Sequence, residues 1–154
     1  MASVLLVYES KYGNTRQIAE EIAAGIAQAG VEATVSQIDE ADPARLDDYD
    51  AILIGSPNHV GRPVGSAKRF IDSLARPQLE GKTVAVFDTC LGRDIGKAMG
   101  RMEKRLAEKA GRLALFSPGL SIRVNDIKGP IADGELAECG EFGASIAASL
   151  KRDG

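Results

Sequence analysis

Residues 7–20, "VYESKYGNTRQIAE", pass from one kind of local order to another within a single turn. The apolar run Val4 to Val7 stops at Tyr8, and Ser, Gly, Asn and Thr follow. Ile18, Ile22 and Ile26 then recur four apart with Ala19, Ala23 and Ala27 beside them, while Glu20, Glu21 and Gln28 take the other face. That is a strand, a tight turn and an amphipathic helix. A helix start offers unpaired backbone N–H groups and about half a positive charge, which suits an anion. Ser10, Asn14 and Thr15 add polar donors, and Gly13 lets the backbone bend close to a ligand. The turn reads as a phosphate cradle or, more simply, as an N-capping turn with Thr15 as its cap.

The same alternation continues along the chain. Val4 to Val7, Ala51 to Ile54, Val84 to Phe87 and Leu113 to Phe116 are continuous apolar runs, as expected of strands covered on both faces. From Val31, "VEATVSQI" alternates apolar and polar residues, which places it at an edge with one wet face. Helical stripes run through Val64, Ala67, Ile71 and Leu74, then Ile95, Ala98, Met99, Met102 and Leu106, then Leu136, Cys139, Ile146 and Leu150. Gly30 and Gly111 are placed to end two of these helices. "DEADPARLDDYD" (39–50) reads as a solvated connection with one short helical turn. The expected fold is α/β, a doubly wound five-stranded parallel sheet of order 2-1-3-4-5, in a single domain over 1–154. Such sheets bind ligands beyond the carboxyl ends of their strands, here the loops 9–15, 56–63 and 88–94.

With 154 residues, 44% hydrophobic and 27% charged, the chain can bury a core without staples. A net charge of −3 argues against a nucleic-acid binder, and no apolar run reaches the ~18 residues of a membrane span. "MASVLLVY" lacks the basic segment and cleavage site of a signal peptide, so the expected compartment is the cytoplasm, with Cys90 and Cys139 reduced. No G-x-G-x-x-G follows the first strand, and "GKT" (81–83) precedes a strand instead of linking one to its helix. Only Glu9, not an acidic pair, follows the first strand, which sets aside a receiver domain.

Ser10-Lys11-Tyr12-Gly13-Asn14-Thr15 resembles the phosphate loop of flavodoxins, whose pattern is Ser/Thr-x-Thr/x-Gly-x-Thr after the first strand. "ILIGSPNHVGRP" (52–63) and "VAVFDTCLGRDIGKAM" (84–99) resemble that family's second and third flavin loops. The resemblance implies FMN as cofactor, with its phosphate on Ser10, Lys11, Tyr12, Gly13, Asn14 and Thr15. It places the flavin ring between Ser56, Pro57, Asn58, His59, Val60 and Gly61 on one side and Thr89, Cys90, Leu91, Gly92 and Asp94 on the other. It implies no acid–base catalytic residue and no metal.

Several positions depart from the family pattern. The chain has no Trp and no aromatic in the third loop, which leaves His59 or Tyr12 as ring neighbour. Val60 stands where Gly often follows the first aromatic, with Gly61 one place on, and Asp88 stands where a small residue is common. The loops carry Lys11, Arg16, Arg62 and Arg93 against Glu9, Asp88 and Asp94, so a less negative flavin couple is expected; alternatively the arginines point to solvent and dock an acidic redox partner. Cys90 reads as small packing beside the cofactor or as a redox thiol. The function implied is an FMN electron carrier shuttling between redox partner proteins, as a monomer or weak homodimer, with no nucleic acid or membrane. The alternatives are a flavin-dependent NAD(P)H:quinone or protoporphyrinogen-type oxidoreductase, and a non-redox binding module.

Overall fold

The computed structural model describes residues 2–59, 61–74, 79–109 and 114–153. Seven strands and four helices alternate along them: β1 (Ser3–Tyr8), α1 (Asn14–Gln28), β2 (Glu32–Gln37), β3 (Ala51–His59), β4 (Arg62–Pro63), α2 (Gly65–Ser73), β5 (Thr83–Cys90), α3 (Lys97–Lys109), β6 (Ala114–Leu115), β7 (Leu120–Arg123) and α4 (Glu135–Asp153). The parallel sheet runs β2-β1-β3-β5, with β6 and β7 both beside β5. This is the expected 2-1-3-4-5 order with its fifth strand in two pieces. β4 turns back antiparallel on the end of β3.

The apolar runs divide by parity, because successive side chains of a strand point to opposite faces. Val4, Leu6, Tyr8, Leu53, Ala85 and Phe87 meet α1 and α4 on one face. Leu5, Val7, Ile52, Ile54, Val84 and Val86 meet α2 and α3 on the other. Burying a Leu, Ile or Val side chain contributes about 1.5–3 kcal/mol, so these central strands anchor the domain.

Four readings change. The apolar run at 113–116 is not covered on both faces: Leu113 lies outside the described residues, Ala114 is exposed, and the strand is the short β6 at the sheet edge. The same edge resumes at β7, after Pro118, which has no N–H to give a ladder, and Gly119, where a side chain would collide with the Val86 carbonyl. Ile95 precedes α3 and is 55% exposed, so the third stripe begins at Ala98. Ala27 faces solvent, and the connection 39–50 is more ordered than expected, with 3₁₀ turns at Ile38–Glu40 and Pro43–Asp48 and Leu46 fully buried. Gly30 does close α1, at φ +84°, whereas Gly111 lies outside the described residues.

Helices α1 and α4 touch backbone to backbone. A Cβ at Gly25 would strike the Gly140 carbonyl, and one at Gly143 would strike the Ile22 carbonyl. Gly143→Ala is expected to cost about 2 kcal/mol through overpacking, since two backbones must part. Urea unfolding measures it, and an unchanged midpoint would show that the helices slide apart freely.

Candidate functional site

At the carboxyl end of β1 the chain turns through Glu9 to Gly13 and enters α1. Gly13 has φ +92°, a conformation L side chains rarely adopt, and it precedes the helix as its N-cap. Thr15 is not the cap. The capping oxygen is Ser10 Oγ, which accepts from Gly13 N at 3.0 Å and Arg16 N at 3.4 Å. Thr15 sits inside the first turn, only 1% exposed, and lines a pocket with Ser10, Lys11, Tyr12 and Asn14. No acidic residue lies in that turn to offset the helix dipole. Among the described residues, the amides of Lys11, Tyr12, Asn14 and Thr15 have no acceptor in the chain. Four N–H groups around one helix start form a nest for an anion.

The second wall is the end of β3. Pro57, Asn58 and His59 line the pocket. Ser56 does not: it is fully buried, donating to the Pro57 carbonyl at 2.8 Å and accepting from Val64 N at 2.9 Å. Asn58 joins two loops, because its Nδ2 donates to the Asp94 carbonyl at 2.9 Å while its Oδ1 accepts from Gly61 N at 2.7 Å. Gly61 makes the hairpin turn at φ +79°, and Val60 lies outside the described residues.

Thr89, Cys90 and Leu91 supply the third wall. Gly92 and Asp94 form a 3₁₀ turn behind it, with Asp94 3.3 Å from Lys97 Nζ. Gly13, Ser56, Gly61, Gly92 and Asp94 therefore shape the pocket without lining it. A fourth wall was not expected. Residues 124–131 fold back through a Val124–Ile131 bridge and put Val124 and Ile127 into the pocket lining. Gly129 is required there, since a Cβ would come within 2.5 Å of Asn14 Oδ1. The turn-forming "NDIKGP" (125–130) was the available signal. The whole encloses about 510 Å³, open to solvent.

A family model described as a flavodoxin domain matches residues 5–125, which contain all three expected loops. The chain belongs to the flavodoxin family. A flavodoxin from the Archaea superposes with a TM-score of 0.83 at 26% identity, covering 97% of this chain and 99% of the other. Flavodoxin 2 from Bacillus cereus gives 0.76 at 29% identity over 97% and 99% of the two chains. An NAD(P)H dehydrogenase (quinone) of Archaeoglobus fulgidus is 33% identical, with 56% of this chain and 61% of that protein covered. The chain thus spans about three-fifths of the length of that relative.

The flavodoxin pocket carries less cationic charge than the sequence suggested. Arg16 pairs with Glu20 at 2.9 Å, Arg93 is exposed, and Arg62 lines a different groove. Lys11 is the cation in the pocket lining, and Lys128 stands outside it; their ammonium groups lie 5.5 and 5.8 Å from the Tyr12 ring centre. Tyr12 is 43% exposed and His59 is exposed, so both stand on the rim. Cys90 is 2% exposed and shares a 3.3 Å hydrogen bond with Ser121. Burial pushes its thiol pKa up, which suits packing and opposes a reactive thiolate. Burial likewise raises Cys139 to about 12.

Asp88 lies beneath the third wall with no exposed surface. Its Oδ2 accepts from Met99 N at 2.9 Å, capping α3 from another strand, and its Oδ1 accepts from Ser121. Ser121 Oγ in turn accepts from Gly96 N at 2.9 Å. Burial raises the carboxyl to about 6 against the pull of these donors.

Proposed function

We propose that this chain is an FMN-binding electron carrier that moves electrons between cytoplasmic redox proteins, as one domain over 1–154. The observation that carries the reading is the set of acceptor-less amides at Lys11, Tyr12, Asn14 and Thr15, with Ser10 already spent on capping. Such a nest fits a phosphate, and the glycine at position 13 leaves open space where a Cβ would stand. Pro57, Asn58, His59, Thr89, Cys90, Leu91, Val124 and Ile127 would hold the ring, and the Asn58 bridge to the Asp94 carbonyl keeps two of its walls in register. The flavin supplies the redox chemistry, and the protein orients it and sets its electrostatics. Titrating the purified protein with FMN tests this: stoichiometric quenching of flavin fluorescence is expected, and failure to take up FMN removes the proposal.

A second reading, direct reduction of quinones by NAD(P)H, is favoured by the likeness to the Archaeoglobus NAD(P)H dehydrogenase (quinone). Steady turnover of NAD(P)H and a quinone without an added reductase would select it.

Reduction adds negative charge to the site, which a nearby ammonium stabilises. Lys11→Glu, at the cation in the pocket lining, is expected to lower the flavin potential on the order of 30 mV after solvent screening, at about 2.3 kcal/mol per 100 mV. Arg93→Glu, on an exposed residue outside the pocket lining, should move it less. Potentiometry showing equal shifts would contradict this placement of charge.

A further inference from the structure

The hairpin that walls the pocket also borders a second groove. In its register His59 faces Arg62 across β3 and β4. His59 lines the flavin pocket, while Arg62 joins Pro63, Lys68, Arg101 and Arg105 around a separate open groove of about 390 Å³. Opposed residues of an antiparallel pair have Cα atoms about 4.5–5.5 Å apart, so the two sites adjoin across one hairpin. Arg105 is neutralised by Asp72 through two 2.6 Å bonds. Arg62, Lys68 and Arg101 are exposed and have no carboxylate within 4.0 Å among the described residues.

The whole chain carries −3, so this groove opposes the sign of the molecule. An anionic partner is repelled elsewhere and steered here. The shape of the groove selects among anions. Its free cations come from three elements, β4, α2 and α3, and all are solvated side chains. A small anion needs convergent, buried donors, whereas a broad acidic surface can meet spread-out cations one by one. We propose that this groove docks the acidic face of a partner protein, one hairpin away from the flavin pocket. The assignment rests on the electron-carrier reading for its purpose, though not for its binding chemistry.

The test uses the FMN-loaded protein and a small acidic [2Fe–2S] ferredoxin as probe, with basic cytochrome c as the counter-probe. Expected is ferredoxin binding that weakens with salt and falls at least tenfold in the Arg62→Glu/Arg101→Glu double variant, while cytochrome c binding does not fall. Both positions are exposed, so the variant should fold, and an unchanged FMN titration verifies it. No ferredoxin binding, or binding equal in the two proteins, overturns the proposal. So does retention of duplex DNA or anionic phospholipid vesicles under salt that excludes ferredoxin. Loss of FMN binding by the parent protein would sink the electron-carrier reading, whereas salt-sensitive ferredoxin binding would still stand.

Discussion

Thr15→Asp is expected to weaken FMN binding about a thousandfold while leaving riboflavin binding within a few-fold of the parent. Thr15 lies in the first turn of α1, its side chain in the pocket lining and almost without exposed surface. Losing one hydrogen bond to a charged oxygen costs about 1.5–3 kcal/mol. A carboxylate at about 5 Å from a phosphate adds roughly 3 kcal/mol of repulsion per unit charge at an effective dielectric near 20. At 1.4 kcal/mol per decade the sum reaches three decades or more, with relaxation taking the excess. Riboflavin has the same ring and no phosphate, so it reports the walls at 57–59, 89–91 and 124–127 without the nest. Thr15→Val removes only the hydroxyl and should cost about tenfold. Fluorescence titration with both flavins decides the matter. If FMN and riboflavin lose affinity together, the variant has damaged the pocket as a whole, and the nest is not where the phosphate binds.

The position of this site was readable because strong local signals agreed. A continuous apolar run, a Ser/Gly/Asn/Thr turn and a four-residue Ile repeat leave little choice but strand, loop and helix, and two more such units then fix where the loops gather. Legibility failed where tertiary contacts decide. The hydroxyl that caps α1 belongs to Ser10, four residues ahead of the helix, because Gly13 at φ +92° bends the chain back over it. Arg62 is paired with His59 across the hairpin yet lines a separate groove, and no spacing rule tells which of the two a residue of a two-residue strand will border. The fourth wall was hidden because residues 124–131 have no periodicity: their order comes from the Val124–Ile131 bridge and from Gly129 yielding to Asn14. Asp88 looked only like an odd residue beside the cofactor, since its partners lie 11 and 33 residues away.

Those partners make Asp88 the source of the second large effect. Its carboxyl is raised from 3.8 to about 6, chiefly by burial, with the Ser121 hydroxyl and the Met99 amide pulling the other way. Between about pH 4 and 6 the folded protein therefore holds a proton that the unfolded chain has released. Stability contributed by this group is complete below the unfolded value and is lost as pH rises through 6. At about 1.4 kcal/mol per unit the loss is about 3 kcal/mol. Asp88→Asn keeps the size and cannot ionise, so relative to it the parent protein should weaken by that amount between about pH 3 and pH 7. FMN-free protein is the right sample, because a bound phosphate titrates in the same window. Taking the difference between the two proteins removes the exposed carboxylates common to both. Asn also presents its NH₂ to either Ser121 Oγ or Met99 N, a mismatch that shifts the variant's curve by a constant and leaves its slope untouched. Urea unfolding at intervals across this range gives both curves. Parallel curves would mean that water reaches the carboxylate, and that the hydrogen-bonded link from Asp88 through Ser121 to the third wall is looser than its distances imply.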